Sequence, residues 1–208
     1  MLFGYRHVLR KILEGCYRCF YAVEKVSVLM GHLAGWAFLF LGFYITVDTL
    51  LRKYTTFSTK GHTEIGQYVL AAAVTWGASY ALSKKSHIRI DVLLIRMPKS
   101  IQGYLNVCAT GLLCGFLSYI LWYLLTDYLP YTFRIDIRAA TVFRTPLKIP
   151  QTIWTFGLFW LWLYSLLQLV VGLLEIALGN ASKLAFTLGP PSFNQEINPT
   201  DRSYPSAK

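Results

Sequence analysis

Among the charged residues that stand four apart in this chain are His87 with Asp91 and Asp48 with Arg52. On a helix that spacing is one turn, so the partners of each pair meet on one face. A His–Asp contact can orient a base, move a proton or fix two protein surfaces together. An Asp–Arg contact is an ion pair, and at the end of an apolar run it needs no function; a contact to another subunit is the rival reading. The other reactive residues are dispersed. Of the histidines at 7, 32, 62 and 87, only His32 falls inside an apolar run, whereas a haem would need paired ligands on facing helices. A lone His at that depth reads as a hydrogen-bonded helix contact. Cys16 and Cys19 form a C-x-x-C, but dithiol exchange needs an activating environment. Cys108 and Cys114 sit in an apolar run, where packing is the default. Glu64, Asp127 and Glu175 fall at run ends, within reach of solvent or headgroups. No cluster of nucleophile, base or metal ligands emerges. The expectation is a non-catalytic protein without a cofactor or metal of its own.

The elements that carry these residues are apolar. Of 208 residues, 55% are hydrophobic and 14% charged, against about a quarter charged in soluble domains. Four runs, 28–50, 65–82, 101–125 and 153–178, are long enough as helices to cross a hydrocarbon core of roughly 30 Å, which takes about 20 residues. None alternates as a barrel strand would. The fold expected is an all-α integral membrane protein with four transmembrane helices, an N-terminal interfacial helix and a short amphipathic helix between spans 2 and 3. Its parts are a cytoplasmic interfacial segment, 1–27, a membrane domain, 28–182, and a disordered, Pro-rich cytoplasmic tail, 183–208. The outer connections are 51–64 and 126–151, the second with Pro130, Pro146 and Pro150. G-x-x-x-G pairs at Gly31/Gly35 and Gly111/Gly115, and a small ridge at Ala73, Gly77 and Ala81, offer close helix contacts.

A net charge of +10 could suggest nucleic acid, but the cations sit between the spans, so no nucleic-acid partner is expected. Arg6, Arg10, Lys11, Arg18 and Lys25 precede the first run, and Lys84, Lys85, Arg89, Arg96 and Lys99 join the second to the third. The outer connections carry fewer: Arg52, Lys53, Lys60, Arg134, Arg138, Arg144 and Lys148. The positive-inside rule then favours both termini on the cytoplasmic side. The N-terminus lacks the short apolar core and small-residue cleavage site of a signal peptide. Leu9, Ile12, Leu13, Cys16, Phe20 and Val23 form one helical stripe, with the cations largely off it. A mitochondrial presequence shares that pattern, but an interfacial helix fits better.

The stretch SKKSHIRIDVLLIRMPK, residues 83–99, is too charged to cross a membrane and too regular to be a spacer. Ile90, Leu93, Leu94 and Met97 share one face, and Arg89, Arg96 and Lys99 gather on another. Pro98 ends the pattern. Such a helix lies in the interface, with Lys84, Lys85, Arg89, Arg96 and Lys99 toward anionic phospholipid. A second apolar line, Ile88, Val92 and Ile95, and the His87–Asp91 pair exceed what lipid alone requires. They suggest a protein partner on that side.

The segment GASYALSKKSHIRIDVLLIRMP resembles the signature of the small membrane subunit, the Q or DctQ-type subunit, of tripartite ATP-independent periplasmic (TRAP) transporters. Its marks here are Gly77, Ala78, Lys84, Lys85, His87, Ile88, Ile90, Asp91, Leu93 and Pro98. Leu50, Leu51, Arg52 and Tyr54 resemble the family's exit from the first span, with Lys53 as an extra residue. Glu64 resembles the acid that opens the second span, and TPLKIPQTIW (145–154) the start of the fourth. Ser86 stands where the family often has Gly or Glu. The resemblance implies a bacterial inner-membrane scaffold that braces a large multispanning permease subunit. The permease carries the sodium ions and the moving parts, and a periplasmic substrate-binding protein delivers an organic acid. It also implies partner-subunit contacts at Arg52, Glu64, Gly77, His87, Ile88, Asp91, Ile95 and Pro98. The alternative is a membrane anchor subunit of a multisubunit redox or other enzyme complex.

Overall fold

The computed structural model describes residues 2–55, 61–84, 98–141 and 143–179. All its regular elements are helical: α1 (Leu2–Tyr54), α2 (His62–Ser83), α3 (Lys99–Tyr123), a π-helical turn π1 (Leu124–Tyr128), α4 (Leu129–Ile135) and α5 (Lys148–Ala177). Three helical stretches are long and apolar enough to cross a membrane: Leu9–Tyr54, Ile101–Ile135 and Lys148–Ala177. α2 has 22 residues, or about 33 Å at ~1.5 Å per residue, but it is less apolar. The amphipathic helix expected at 87–99 and the tail at 183–208 fall mostly or wholly outside the described residues.

Two expectations change. First, α1 does not break between an interfacial segment and a span; it is one helix of 53 residues. Part of the N-terminal stripe is covered by protein: Leu13 and Phe20 are buried, while Ile12 stays half exposed. Phe20, 6% exposed, lies with its ring 5.0 Å from that of Tyr164. One turn away, Tyr17 donates its hydroxyl to Glu175 Oε1 at 3.1 Å. With partners along its face, this segment has no reason to end at residue 27. Second, the connection expected at 126–151 is mostly helical, and only 136–147 lies outside helices. Pro130 lacks an N–H, and its ring would collide with the carbonyl four residues back. The backbone widens just ahead of it: the Leu129 N–H bonds to Leu124 O, five residues back. The helix then resumes as α4 until Asp136 adopts a left-handed conformation, φ 46°, which Asp tolerates better than most residues.

By its contacts the chain divides into two units. The first contains residues 1–23, 84–115 and 164–208, and the second residues 24–83 and 116–163. In the first, Val107 of α3 packs against Leu169 and Ile176 of α5, and Gly111 admits Leu169 to ordinary van der Waals distance, 3.6 Å from where a Cβ would stand.

In the second unit the helices touch through small residues and indole donors. Gly31 of α1 lies directly under the Tyr80 ring of α2, and Gly157 of α5 lies under Thr75 and Trp76. A Cβ at either position would overlap its neighbour. The Trp76 N–H donates to the Ile153 carbonyl at 3.3 Å, that of Trp160 to the buried Ser27 hydroxyl at 3.1 Å, and that of Trp162 to Ser118 at 2.8 Å. Gly35 and Gly115 meet nothing within 4 Å. Each G-x-x-x-G pair therefore uses one glycine within this chain. Gly31→Ala and Gly157→Ala are expected to destabilise the protein by about 1–3 kcal/mol, the usual cost of overpacking. Gly35→Ala should be neutral or stabilise by up to about 1 kcal/mol. Thermal melts in detergent, followed by circular dichroism, check the order.

Candidate functional site

The two acids that open and close helices in the second unit are buried and engaged. Asp48, one turn from the end of α1, is 3% exposed, and Glu64, in the first turn of α2, is also 3% exposed. Burying a carboxylate is costly unless donors replace its water, so each is surrounded by donors.

At Asp48 the expected ion pair forms. Arg52 Nη2 lies 2.8 Å from Asp48 Oδ2, with the guanidinium half exposed. His62, the first residue of α2, brings Nδ1 to 3.1 Å from Arg52 Nη2 and 3.4 Å from Asp48 Oδ2. The Nδ1 atom thus reaches both partners, and its proton decides between them. Bare, it accepts from Arg52; protonated, it donates to Asp48. Either way the three side chains join the end of α1 to the start of α2.

Glu64 joins α2 to the 136–147 connection. Tyr68 donates its hydroxyl to Glu64 Oε1 at 3.0 Å, the Phe143 N–H donates to Oε2 at 3.4 Å, and the Thr141 and Thr145 hydroxyls are further donors. Those threonine hydrogen bonds, more than any other contact, lower the Glu64 pKa to about 2; burial opposes the shift, and Tyr68 and the Phe143 N–H add to it. The connection is shaped to deliver these donors. Arg138 and Pro146 form an isolated antiparallel bridge, with the Ala139 N–H bonded to Thr145 O and that of Leu147 to Ile137 O, both at 3.0 Å. Arg144 turns the chain with φ 49°. The Phe143 ring occupies the space a Cβ at Gly61 would need, so a larger residue there would have to displace that half-exposed ring. At the base of the turn Lys148 bonds Asp136 at 3.0 Å and, with Arg138, holds that carboxyl below its usual pKa.

The other candidate residues are less enclosed. Gly77, half-buried on α2, has nothing among the described residues within 4 Å of a Cβ. Lys84 is half-buried in the turn after α2, and Pro98 is exposed, its carbonyl accepting from the Gln102 N–H at 3.1 Å. Lys99 begins α3. Lys85, His87, Ile88, Arg89, Asp91, Ile95 and Arg96 lie outside the described residues. The structure therefore groups Arg52 with Asp48 and His62, and Glu64 with its own four donors. His32, by contrast, is a helix contact: its Nδ1 donates to the Val28 carbonyl at 2.9 Å and its ring lies 5.9 Å from that of Tyr80.

Sequence reasoning missed His62, Tyr68, Thr141, Phe143 and Thr145. Tyr68 and His62 had a local signal, one turn after Glu64 and at the start of its helix. The other three stand 77 to 81 residues away in sequence, and no spacing rule connects them to α2.

The Glu64 contacts predict an acid-side instability. A carboxyl whose pKa falls on folding stabilises the native state fully above its ordinary value, here 4.5, and loses that contribution as pH falls toward about 2. Melting temperature should drop across that window, and Glu64→Gln should flatten this part of the profile while lowering stability at neutral pH.

A family model described as "Tripartite ATP-independent periplasmic transporters, DctQ component" matches residues 27–175. Neither the curated proteins nor the solved structures compared with the chain give a match. The matched region begins at Ser27, the buried partner of Trp160, and ends at Glu175, the partner of Tyr17. It covers well over half of the 208 residues, and on that basis the chain belongs to the DctQ family, the small membrane component of tripartite ATP-independent periplasmic transporters.

Proposed function

We propose that this chain is a non-catalytic scaffold that braces the large permease subunit in sodium-coupled, binding-protein-dependent uptake of an organic acid. The family match over residues 27–175 carries the reading. The chemistry of the described residues supports it, because Asp48, Glu64 and Glu175, buried acids that could have served a transport path, are each bonded to a partner within this chain. Substrate and sodium sites then belong to the large subunit, and a periplasmic binding protein supplies the solute.

In this reading residues 65–82 of α2 also cross the membrane, as the second of four spans. Its length is sufficient, and its lower apolarity is offset by the contacts at Gly31, Gly157 and Glu64. Both termini and the 84–99 connection are cytoplasmic, on the side with more Lys and Arg, in a bacterial inner membrane. The connection is the docking element, with Lys84, Lys85, Arg89, Arg96 and Lys99 toward phospholipid and Ile88, Asp91 and Ile95 toward the partner.

Asp91→Ala, and separately Ile88→Ser with Ile95→Ser, should reduce recovery of the permease in a detergent pull-down while leaving the amount of this chain in the membrane unchanged. Full recovery with both variants would contradict the docking role.

A further inference from the structure

Within the second unit, α1, α2 and the start of α5 enclose a cavity of about 290 Å³. Small residues create it: Ala34 and Ala37 on α1, Ala72 and Ala73 on α2. Larger walls come from Leu33, Val69, Ile149 and Ile153. Three of these, Leu33 (47%), Ile149 (54%) and Ile153 (41%), are substantially exposed, so the cavity is open along one side. Its lining is almost wholly carbon. The Trp76 N–H is committed to the Ile153 carbonyl, and the remaining side-chain polar groups, the Tyr68 and Thr145 hydroxyls, stand at one end, where both serve Glu64.

The occupant follows from shape and chemistry. Water needs two to four polar partners to settle in a cavity, and these walls offer none. A polar metabolite would find no anchor. The volume lies at the lower edge of small-molecule sites, roughly 300–1,000 Å³, but the space is elongated: Tyr68 and Trp76 are eight residues apart on α2, about 12 Å at ~1.5 Å per residue. Two cations adjoin lining residues in sequence. Arg144 precedes Thr145 and is exposed, and Lys148 precedes Ile149 and is 45% exposed while bonded to Asp136. An apolar slot with a cationic mouth is complementary to a chain with a phosphate at its head.

We propose that this cavity holds one acyl chain of a bilayer phospholipid, whose phosphate is met at the mouth by Arg144. The site rests on the reading of α2 as a membrane span. The alanines are then the specificity device, since any larger side chain at positions 37 or 72 would fill the slot. The lipid seals α1, α2 and α5 beneath the 136–147 connection.

The test uses the full chain in its native complex, reconstituted in phosphatidylethanolamine and phosphatidylglycerol vesicles doped with a phosphatidylglycerol carrying a mid-chain diazirine. After irradiation, adducts are mapped by mass spectrometry. Val69 and Trp76 should be labelled in the wild type. That labelling should be lost in Ala72→Phe and in Ala37→Phe, each retaining native helical content, and fall several-fold in Arg144→Gln. Leu70 and Val74, exposed on α2 at 50% and 57%, report bulk lipid and should label in every variant. If they label while the cavity residues do not, or if the cavity residues label equally after filling, the lipid site is overturned and the span reading survives. If Leu70 and Val74 are unlabelled, the span reading fails and the site with it.

Discussion

α2 is the element that hydrophobicity alone does not hold. In the proposed reading of α2 as a span, it gains nothing from burying carbon against its neighbours, because the lipid tails around it are as apolar as they are. What remains is close contact, hydrogen bonding and the satisfaction of buried charge. α2 uses all three. Tyr80 lies on Gly31, Thr75 and Trp76 lie on Gly157, and Glu64 gathers donors from its own helix and from the 136–147 connection. These contacts also explain the shape of that connection. Its bridge at Arg138 and Pro146 and its left-handed turn at Arg144 present Thr141, Phe143 and Thr145 to one carboxylate.

The same economy separates this chain from a self-sufficient transporter. Ionisable groups buried in membrane helices are usually kept for a path or a relay. Here Asp48 is consumed by Arg52 and His62, Glu64 by the connection, and Glu175 accepts from Tyr17. Each ties one segment of the chain to another. The polar chemistry is architectural, consistent with a component whose family is defined by the transporter it joins. Among the described residues nothing stands within 4 Å of a Cβ at Gly35, Gly77 or Gly115, which leaves room for close packing there.

Much of the fold was legible because the governing rules are local. Apolar length marked the long helices, and i,i+4 spacing found the Asp48–Arg52 pair. Where the reading missed, a tertiary contact or a backbone adjustment had overridden a local rule. The stretch with Pro130 reads as part of an outer connection, but a single π-turn absorbs the proline and the helix runs on to Ile135. Within the N-terminal stripe Phe20 meets Tyr164, about 150 residues on, which no periodicity reveals, while Ile12 stays half exposed. The Glu64 donors were hidden for the same reason. The family, by contrast, was legible in the charged stretch 83–99, whose residue types resemble a signature that composition could not have supplied.

The central claim is that this chain works by bracing another membrane protein. Its most direct test is purification of the chain from its native membrane in mild detergent, followed by mass spectrometry of what accompanies it and an absorption spectrum of the product. The account predicts a large multispanning permease in fixed stoichiometry and no Soret band. Recovery of the chain alone, or with a cofactor-bearing enzyme in place of a permease, would contradict it.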